Sequence, residues 1–147
     1  MSRFNDNPEG IYDPTATLAI EHVIHEQKAK PYRPFVYICS RYAGDIQTNT
    51  NAALRYCQFA VKRGCIPIAS HIFYAASGIL DETDPDARSL GLTFGLLLLD
   101  RCSEVWIFSD GTLSDGMRAE YKRALRKGKR IRTFDLSMVE TESGGFA

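Results

Sequence analysis

Eleven residues, Asp110-Gly-Thr-Leu-Ser-Asp-Gly-Met-Arg-Ala-Glu120, carry the strongest chemical signal in the chain. They follow a short apolar run, Glu104 to Phe108, that reads as a buried strand, and they open into an amphipathic segment from Ser114 to Lys127. A loop that leaves the C-terminal end of a strand and feeds a helix N-terminus is where open α/β sheets bind ligands. Ser114 is placed to cap that helix, and the free N–H groups of its first turn can hold hydroxyls or a phosphate. Glu120 lies one helical turn after Gly116, so the two share a face, and its side chain leans back toward the helix mouth. Such a carboxylate is well placed to meet a bound sugar.

The periodicity of this segment gives an apolar stripe of Leu113, Met117, Tyr121, Ala124 and Leu125, with Arg118, Lys122 and Arg126 on the solvated side. Glu120 falls at the border of the stripe, where partial burial would raise its pKa. The alternative is an ordinary flank glutamate paired with Arg123 or Lys127, since structural ion pairs also perturb carboxylates.

Two further loops should converge on the same sheet edge, Ser40 to Asp45 and Ser70 to Ser77, beside Ser109 to Gly116. Ser40 and Arg41 can take a phosphate or carboxylate, with Gly44 permitting a tight turn; alternatively Arg41 pairs with Asp45 and closes the loop. Asn49 and Asn51 are candidate caps for the next helix. His71 can hydrogen-bond a base or phosphate, or serve a structural role. Tyr42, Phe73 and Tyr74 can stack on a nucleobase or form a lid or interface. Trp106 sits within an expected strand and reads as core.

The elements that must position these groups alternate between strand and helix. Asp13 is a candidate cap for a helix running to about Lys28, with Leu18, Ala19, Val23 and Ile24 on its inner side and Pro31 and Pro34 stopping it. Strands are expected at Phe35–Cys39, Ile66–Ala69 (extended by Ser70 and His71), Glu104 onward, and Arg130–Phe134. Helices are expected from about Asn49 to Lys62, Asp86 to Arg101, and Ser114 until Gly128. This pattern predicts an α/β, three-layer Rossmann- or flavodoxin-like domain with a mostly parallel sheet of four to five strands. The expected organisation is an N-terminal extension with one helix over residues 1–33, the α/β domain over 34–134, and a polar tail over 135–147.

Composition excludes several classes. The 147 residues carry 18 basic and 18 acidic side chains, so the basic excess of a nucleic-acid binder is missing. The basic cluster from Arg123 to Arg132 reads as a solvated helix end, favourable against the helix dipole. No apolar run approaches the ~20 residues that span a membrane, and no signal-peptide pattern opens the chain. Cys39, Cys57, Cys65 and Cys102 lack C-x-x-C spacing and histidine partners, which fits small buried hydrophobes in a reducing cytoplasm rather than a zinc site. There is no G-x-G-x-x-G fingerprint, Walker A sequence or G-x-S-x-G elbow.

The strand Val36-Tyr-Ile-Cys-Ser40 with its Ser-Arg-Tyr-Ala-Gly loop resembles the opening of the nucleoside 2-deoxyribosyltransferase-like superfamily. So does Ser114-x-Gly116-x-x-x-Glu120, followed by Ala124 and Gly128-Lys-Arg-Ile131. The resemblance covers about residues 34 to 134 and is nearest to the small bacterial and phage domains of that superfamily, which also includes nucleoside 5′-monophosphate N-glycosidases. It implies that Glu120 is the nucleophile attacking the anomeric carbon. It also implies that Ser114 touches a 5′-phosphate and that the Ser40–Gly44 loop binds phosphate or sugar. The scheme is chemically coherent, because a carboxylate nucleophile splits one hard displacement into two easier ones, as in retaining glycosidases. The superfamily's aspartate near the leaving base corresponds here to Leu96. Asp100, one turn later, is the candidate replacement for an acid that would contribute ~10²–10⁴-fold.

The expected catalytic groups are therefore Glu120 and Asp100. The expected binding groups are Ser40, Arg41, Tyr42, Gly44, His71, Asp110, Ser114, Gly116 and Met117. The ligand expected is a small-molecule nucleoside or nucleotide, with no metal or redox cofactor and no membrane or nucleic-acid partner. The resemblance also implies a homo-oligomer, for which the apolar helix from Leu92 to Leu99 is a candidate interface. The rival readings are a non-catalytic module binding a nucleotide or ADP-ribose-like ligand, and a structural protein with a vestigial pocket.

Overall fold

A computed structural model describes residues 14–29, 32–142 and Phe146. The expected Asp13 cap and Pro31 stop lie outside the described residues. The chain divides into two units, Met1–Tyr32 and Arg33–Ala147. The first contains helix α1, Pro14–Ala29. Leu18 and Val23, expected on its inner side, are exposed at 66% and 55%.

The second unit is a three-layer α/β domain of the Rossmann-like type. Its elements are β1 (Phe35–Cys39), α2 (Ile46–Lys62), β2 (Ile66–Ile68), a π-helical turn (Ile72–Ala76), α3 (Pro85–Asp100), β3 (Glu104–Phe108), α4 (Asp115–Arg126), β4 (Arg130–Phe134) and β5 (Glu140–Thr141). The sheet order is β2-β1-β3-β4-β5. The first four strands run parallel, and β5 pairs antiparallel with β4.

Strand alternation assigns side chains to the two helical layers. Val36, Ile38, Trp106 and Phe108 turn to one face and pack with Tyr56 and Ala60 of α2. Tyr56 stacks on Phe108 at 4.1 Å, and Phe108 on Phe134 at 4.9 Å. Tyr37, Cys39, Val105 and Ile107 turn to the other face, against Leu99 of α3 and Met117 and Ala124 of α4. Both faces of β1 and β3 are covered, which is why Phe35–Cys39 and Val105–Phe108 are apolar.

Three local differences from the sequence reading have clear causes. Helix α2 starts at Ile46, earlier than expected, because Asp45 rather than Asn49 or Asn51 is its cap and accepts the Thr48 N–H at 3.1 Å. Asn49 instead donates to the Tyr42 and Ala43 carbonyls, both at 3.0 Å, and ties down the preceding loop. Strand β2 ends at Ile68, and Ser70 and His71 do not extend it. The chain turns there because the amides of Ile72 and Phe73 both bond back to the Ala69 carbonyl.

The expected polar tail is also structured in part. Residues Glu140 and Thr141 form an edge strand, where backbone pairing and cross-strand contacts substitute for apolar burial. Arg132 grips Glu140 through two hydrogen bonds of 2.8 and 2.7 Å. Phe146 packs against the Tyr121 ring at 5.3 Å.

Among the described residues, no helix is long and apolar enough to cross a membrane. Nor does any group of three or more His, Cys, Asp or Glu among them stand where it could hold a metal ion.

Candidate functional site

Strand β1 connects outward to β2, and the chain then crosses back to β3 on the opposite side of β1. That reversal opens a crevice beyond the carboxyl ends of β1 and β3. A cavity of about 530 Å³ occupies it. Its walls come from the loops after β1 and β2, the first half of α3, and the start of α4.

Helix α4 enters the cavity as its sequence implies. Ser114 caps it in extended conformation, and its Oγ accepts the Met117 N–H at 3.3 Å. The amides of Asp115 and Gly116 have no intrahelical acceptor, as at any helix start, and both residues line the cavity. One turn further on, the half-buried Glu120 carboxylate lines the same cavity. It accepts a hydrogen bond from the Tyr37 hydroxyl. That hydroxyl lies 2.9 Å from Ser70 Oγ, so strand β1, the loop after β2 and helix α4 meet at one polar cluster inside an apolar layer.

Gly95 of α3 closes the cluster from the other side. A Cβ there would stand 3.0 Å from both Ser70 Oγ and the Tyr37 hydroxyl, and 3.7 Å from Glu120 Oε2. The helix can approach this closely because the position has no side chain.

Burial pushes the Glu120 pKa up to about 7, with the Tyr37 hydroxyl and Cys39 thiol offsetting it in part. Tyr37 is itself raised well above the ordinary phenol range, by burial first and by the neighbouring Glu120 second. It therefore remains a hydrogen-bond donor at all ordinary pH. The arrangement presents an ionisable, half-buried carboxylate whose charged form burial disfavours, held by a hydroxyl donor. Such a group can attack an electrophilic carbon or stabilise a developing positive charge. The alternative pairing with Arg123 or Lys127 does not occur, because both turn to Asp100.

Ser40, Tyr42, His71, Ser114, Gly116 and Met117 line this cavity together with Glu120. His71 stacks at a tilt on Tyr42, with centroids 5.0 Å apart. Burial lowers the His71 pKa to about 4, so at neutral pH it is uncharged and offers a ligand a hydrogen bond rather than a cation. Its Nε2 is buried and has no hydrogen-bond partner. Tyr74 also reaches the cavity and packs edge-on against Phe94 at 5.1 Å, whereas Phe73 is 62% exposed.

Four expected groups stand elsewhere. Arg41 and Asp110 line a smaller cavity of about 210 Å³ on the α2 side of the sheet. Arg41 does not lock onto Asp45, whose two oxygens are taken by Thr48. Gly44 lines neither cavity; its φ of 99° turns the loop into Asp45. Asp100 is the main correction. It ends α3 and precedes β3, so it lies at the amino edge of the strands, away from the cavity. There it forms a two-pronged ion pair with Arg123, at 2.8 and 2.5 Å, which holds its carboxyl below the usual range. Helical spacing places Leu96 and Asp100 on one face, yet a further turn along α3 carries Asp100 about 6 Å down the axis, and only Leu96 reaches the cavity.

Sequence reasoning missed Tyr37, Ser70 and Gly95, and also Glu82 and Arg88 on the cavity wall. Tyr37 carried a signal: a hydroxyl in a strand buried on both faces must find a partner. Ser70 opens a loop already expected at the ligand-facing edge, whereas nothing in the local pattern marks Gly95, Glu82 or Arg88.

Residues 34–134 match a domain of unknown function, DUF7768. The chain belongs to that family. The matched span runs from the approach to β1 through the end of β4 and so contains every element that builds the crevice. Among curated proteins none matches the chain.

Proposed function

We propose that the chain cleaves or transfers the N-glycosidic bond of a nucleoside or deoxynucleoside, or of its 5′-monophosphate, with Glu120 as nucleophile. The observation that carries the reading is the half-buried Glu120 carboxylate, which lines the crevice and accepts from Tyr37. The resemblance to deoxyribosyltransferase-like enzymes supports it, because their nucleophile corresponds to this residue. In the proposed reaction a Glu120 oxygen bonds to C1′ while the C1′–N bond breaks, and the departing base keeps the electron pair and takes a proton. Water or a second base then displaces the glutamate from C1′. The low-dielectric setting strengthens the attraction between the carboxylate and the positive charge that develops on the sugar ring. The α4 N-terminus and Ser40 would hold the 5′-phosphate.

A second reading is a module that binds a nucleotide or ADP-ribose-like ligand without turnover. It is favoured by Leu96, which stands on the cavity wall where related enzymes carry an aspartate, while Asp100 is committed to Arg123. For chemistry to occur, the leaving base must take its proton from another group on the cavity wall or from solvent. As in the related enzymes, the reading includes a homo-oligomer; Leu92 and Leu97 of α3, each 52% exposed, are the residues it would cover.

The deciding experiment is incubation with ribo- and deoxyribonucleosides and their 5′-monophosphates, followed by chromatography for free base. Release that disappears in Glu120→Ala supports the enzyme. Saturable binding without release, changed only in affinity by Glu120→Ala, supports the module, and neither result would leave both readings without support.

A further inference from the structure

The crevice has a second chamber that the reading above does not use. The cavity of about 210 Å³ on the α2 side shares Ser40 and Met117 with the larger one, so the two adjoin across the end of β1. Arg41, from the loop after β1, and Arg55, from the third turn of α2, both line it. Neither arginine comes within ion-pair distance of a carboxylate among the described residues, although the charge of Arg41 reaches Asp110 and helps hold its carboxyl below the ordinary value after the Thr112 hydrogen bonds.

Among the described residues, Asp110 is the one acidic residue lining the chamber. Its Oδ1 is turned back to the Thr112 amide and hydroxyl, at 3.1 and 2.8 Å. Two cations against one carboxylate leave the chamber net positive. Ser109, also on the wall, is satisfied: its Oγ donates to the Thr112 carbonyl at 2.7 Å and accepts the Gly111 amide at 3.0 Å. Ser40 is not. It is only 6% exposed, and its Oγ is buried with no hydrogen-bond partner. A hydroxyl left unpaired out of water is unfavourable, and an incoming acceptor would relieve that cost. The unpaired hydroxyl lies on the wall common to both chambers.

We infer that the smaller chamber is a second anion subsite, and that the ligand is a nucleoside 5′-diphosphate or a diphosphate-linked derivative rather than a monophosphate alone. This deepens the nucleotide reading above and rests on it. The first phosphate sits at the α4 N-terminus in the larger chamber. The diphosphate crosses at Ser40, whose hydroxyl donates to it. The second phosphate meets the guanidinium groups of Arg41 and Arg55, whose planar forks suit its oxygens. The shared wall supports the assignment, because a diphosphate carries its second phosphoryl group one bridging oxygen from the first and so can reach from one chamber into the other.

The test is calorimetric titration of the full chain with the 5′-mono- and 5′-diphosphates of adenosine, guanosine, cytidine and uridine. The wild type should bind the diphosphate of its preferred base at least about tenfold more tightly than the monophosphate, the scale of one charge-assisted contact. Arg55→Ala and Arg41→Ala should each shrink that ratio, and Arg55→Ala, at an exposed position, should keep the wild-type melting temperature. Equal affinity for mono- and diphosphate would overturn the inference and leave the monophosphate reading standing. A diphosphate preference untouched in both variants would also overturn it, since the second phosphate would then lie elsewhere. Failure of every nucleotide to bind would remove this inference and the nucleotide reading together.

Discussion

Replacing Glu120 with Gln should stabilise the protein at high pH and do almost nothing at low pH. In the folded chain burial raises the Glu120 pKa from 4.5 to about 7, so between these values the native state holds a proton that the unfolded state has released. Stability therefore falls as pH rises through that window: the contribution of the protonated carboxyl is complete below 4.5 and lost above 7. At about 1.36 kcal/mol per pH unit the loss comes to roughly 3 kcal/mol. Glutamine keeps the shape and can still accept from Tyr37, but it cannot ionise. Urea unfolding of both proteins at pH 5 and pH 8 measures the effect. The variant should match the wild type within ~1 kcal/mol at the lower pH and exceed it by about 3 kcal/mol at the higher. Parallel pH dependences would refute the claim that this carboxylate is buried and perturbed. The same substitution should abolish base release, giving gain of stability with loss of function at one residue, a trade-off familiar from active sites.

Tyr37→Phe removes the donor that favours the charged form of Glu120, so the midpoint of the pH–activity profile should move upward. Because a hydrogen bond to a charged group is worth ~1.5–3 kcal/mol, kcat/KM at neutral pH should fall roughly tenfold or more; an unmoved midpoint would argue against the contact. Gly95→Ala gains up to ~1 kcal/mol of helix propensity but drives a methyl against Tyr37 and Ser70, with an overpacking cost of ~1–3 kcal/mol. The net cost should lower the melting temperature by up to several degrees while base release drops, and full activity would show that the cluster tolerates displacement. Asp100→Asn should leave base release within about twofold of wild type, since its partner is a partly exposed Arg123 rather than a ligand. A large loss would restore Asp100 as the acid.

Much of the architecture was legible in the residues. The apolar runs at Phe35–Cys39 and Glu104–Phe108 announced strands buried on both faces. Ser114 announced the start of α4, and the alternation of strand and helix announced the parallel sheet. Capping and periodicity act over a few residues, so a linear reading captures them. It fails where the competing signals are equally local. Asp45 outcompeted Asn49 and Asn51 as a cap, and Glu140 was too polar to read as a strand although an edge strand needs no burial.

By itself, then, the sequence determined which segments become strands and helices, that the loops after β1, β2 and β3 share an edge, and that Glu120 stands one turn inside α4. Only the tertiary structure decided what surrounds that carboxylate. Tyr37, Ser70 and Gly95 come from three separate elements, and their meeting depends on the handedness of the crossovers and the approach of α3 to β1. The same packing carried Asp100 to the far edge, into the grip of Arg123, and brought Arg41 and Arg55 to the wall of one cavity on the α2 face. Periodicity says which side of a helix a residue occupies. Its height along the axis relative to the sheet is fixed only when the layers pack.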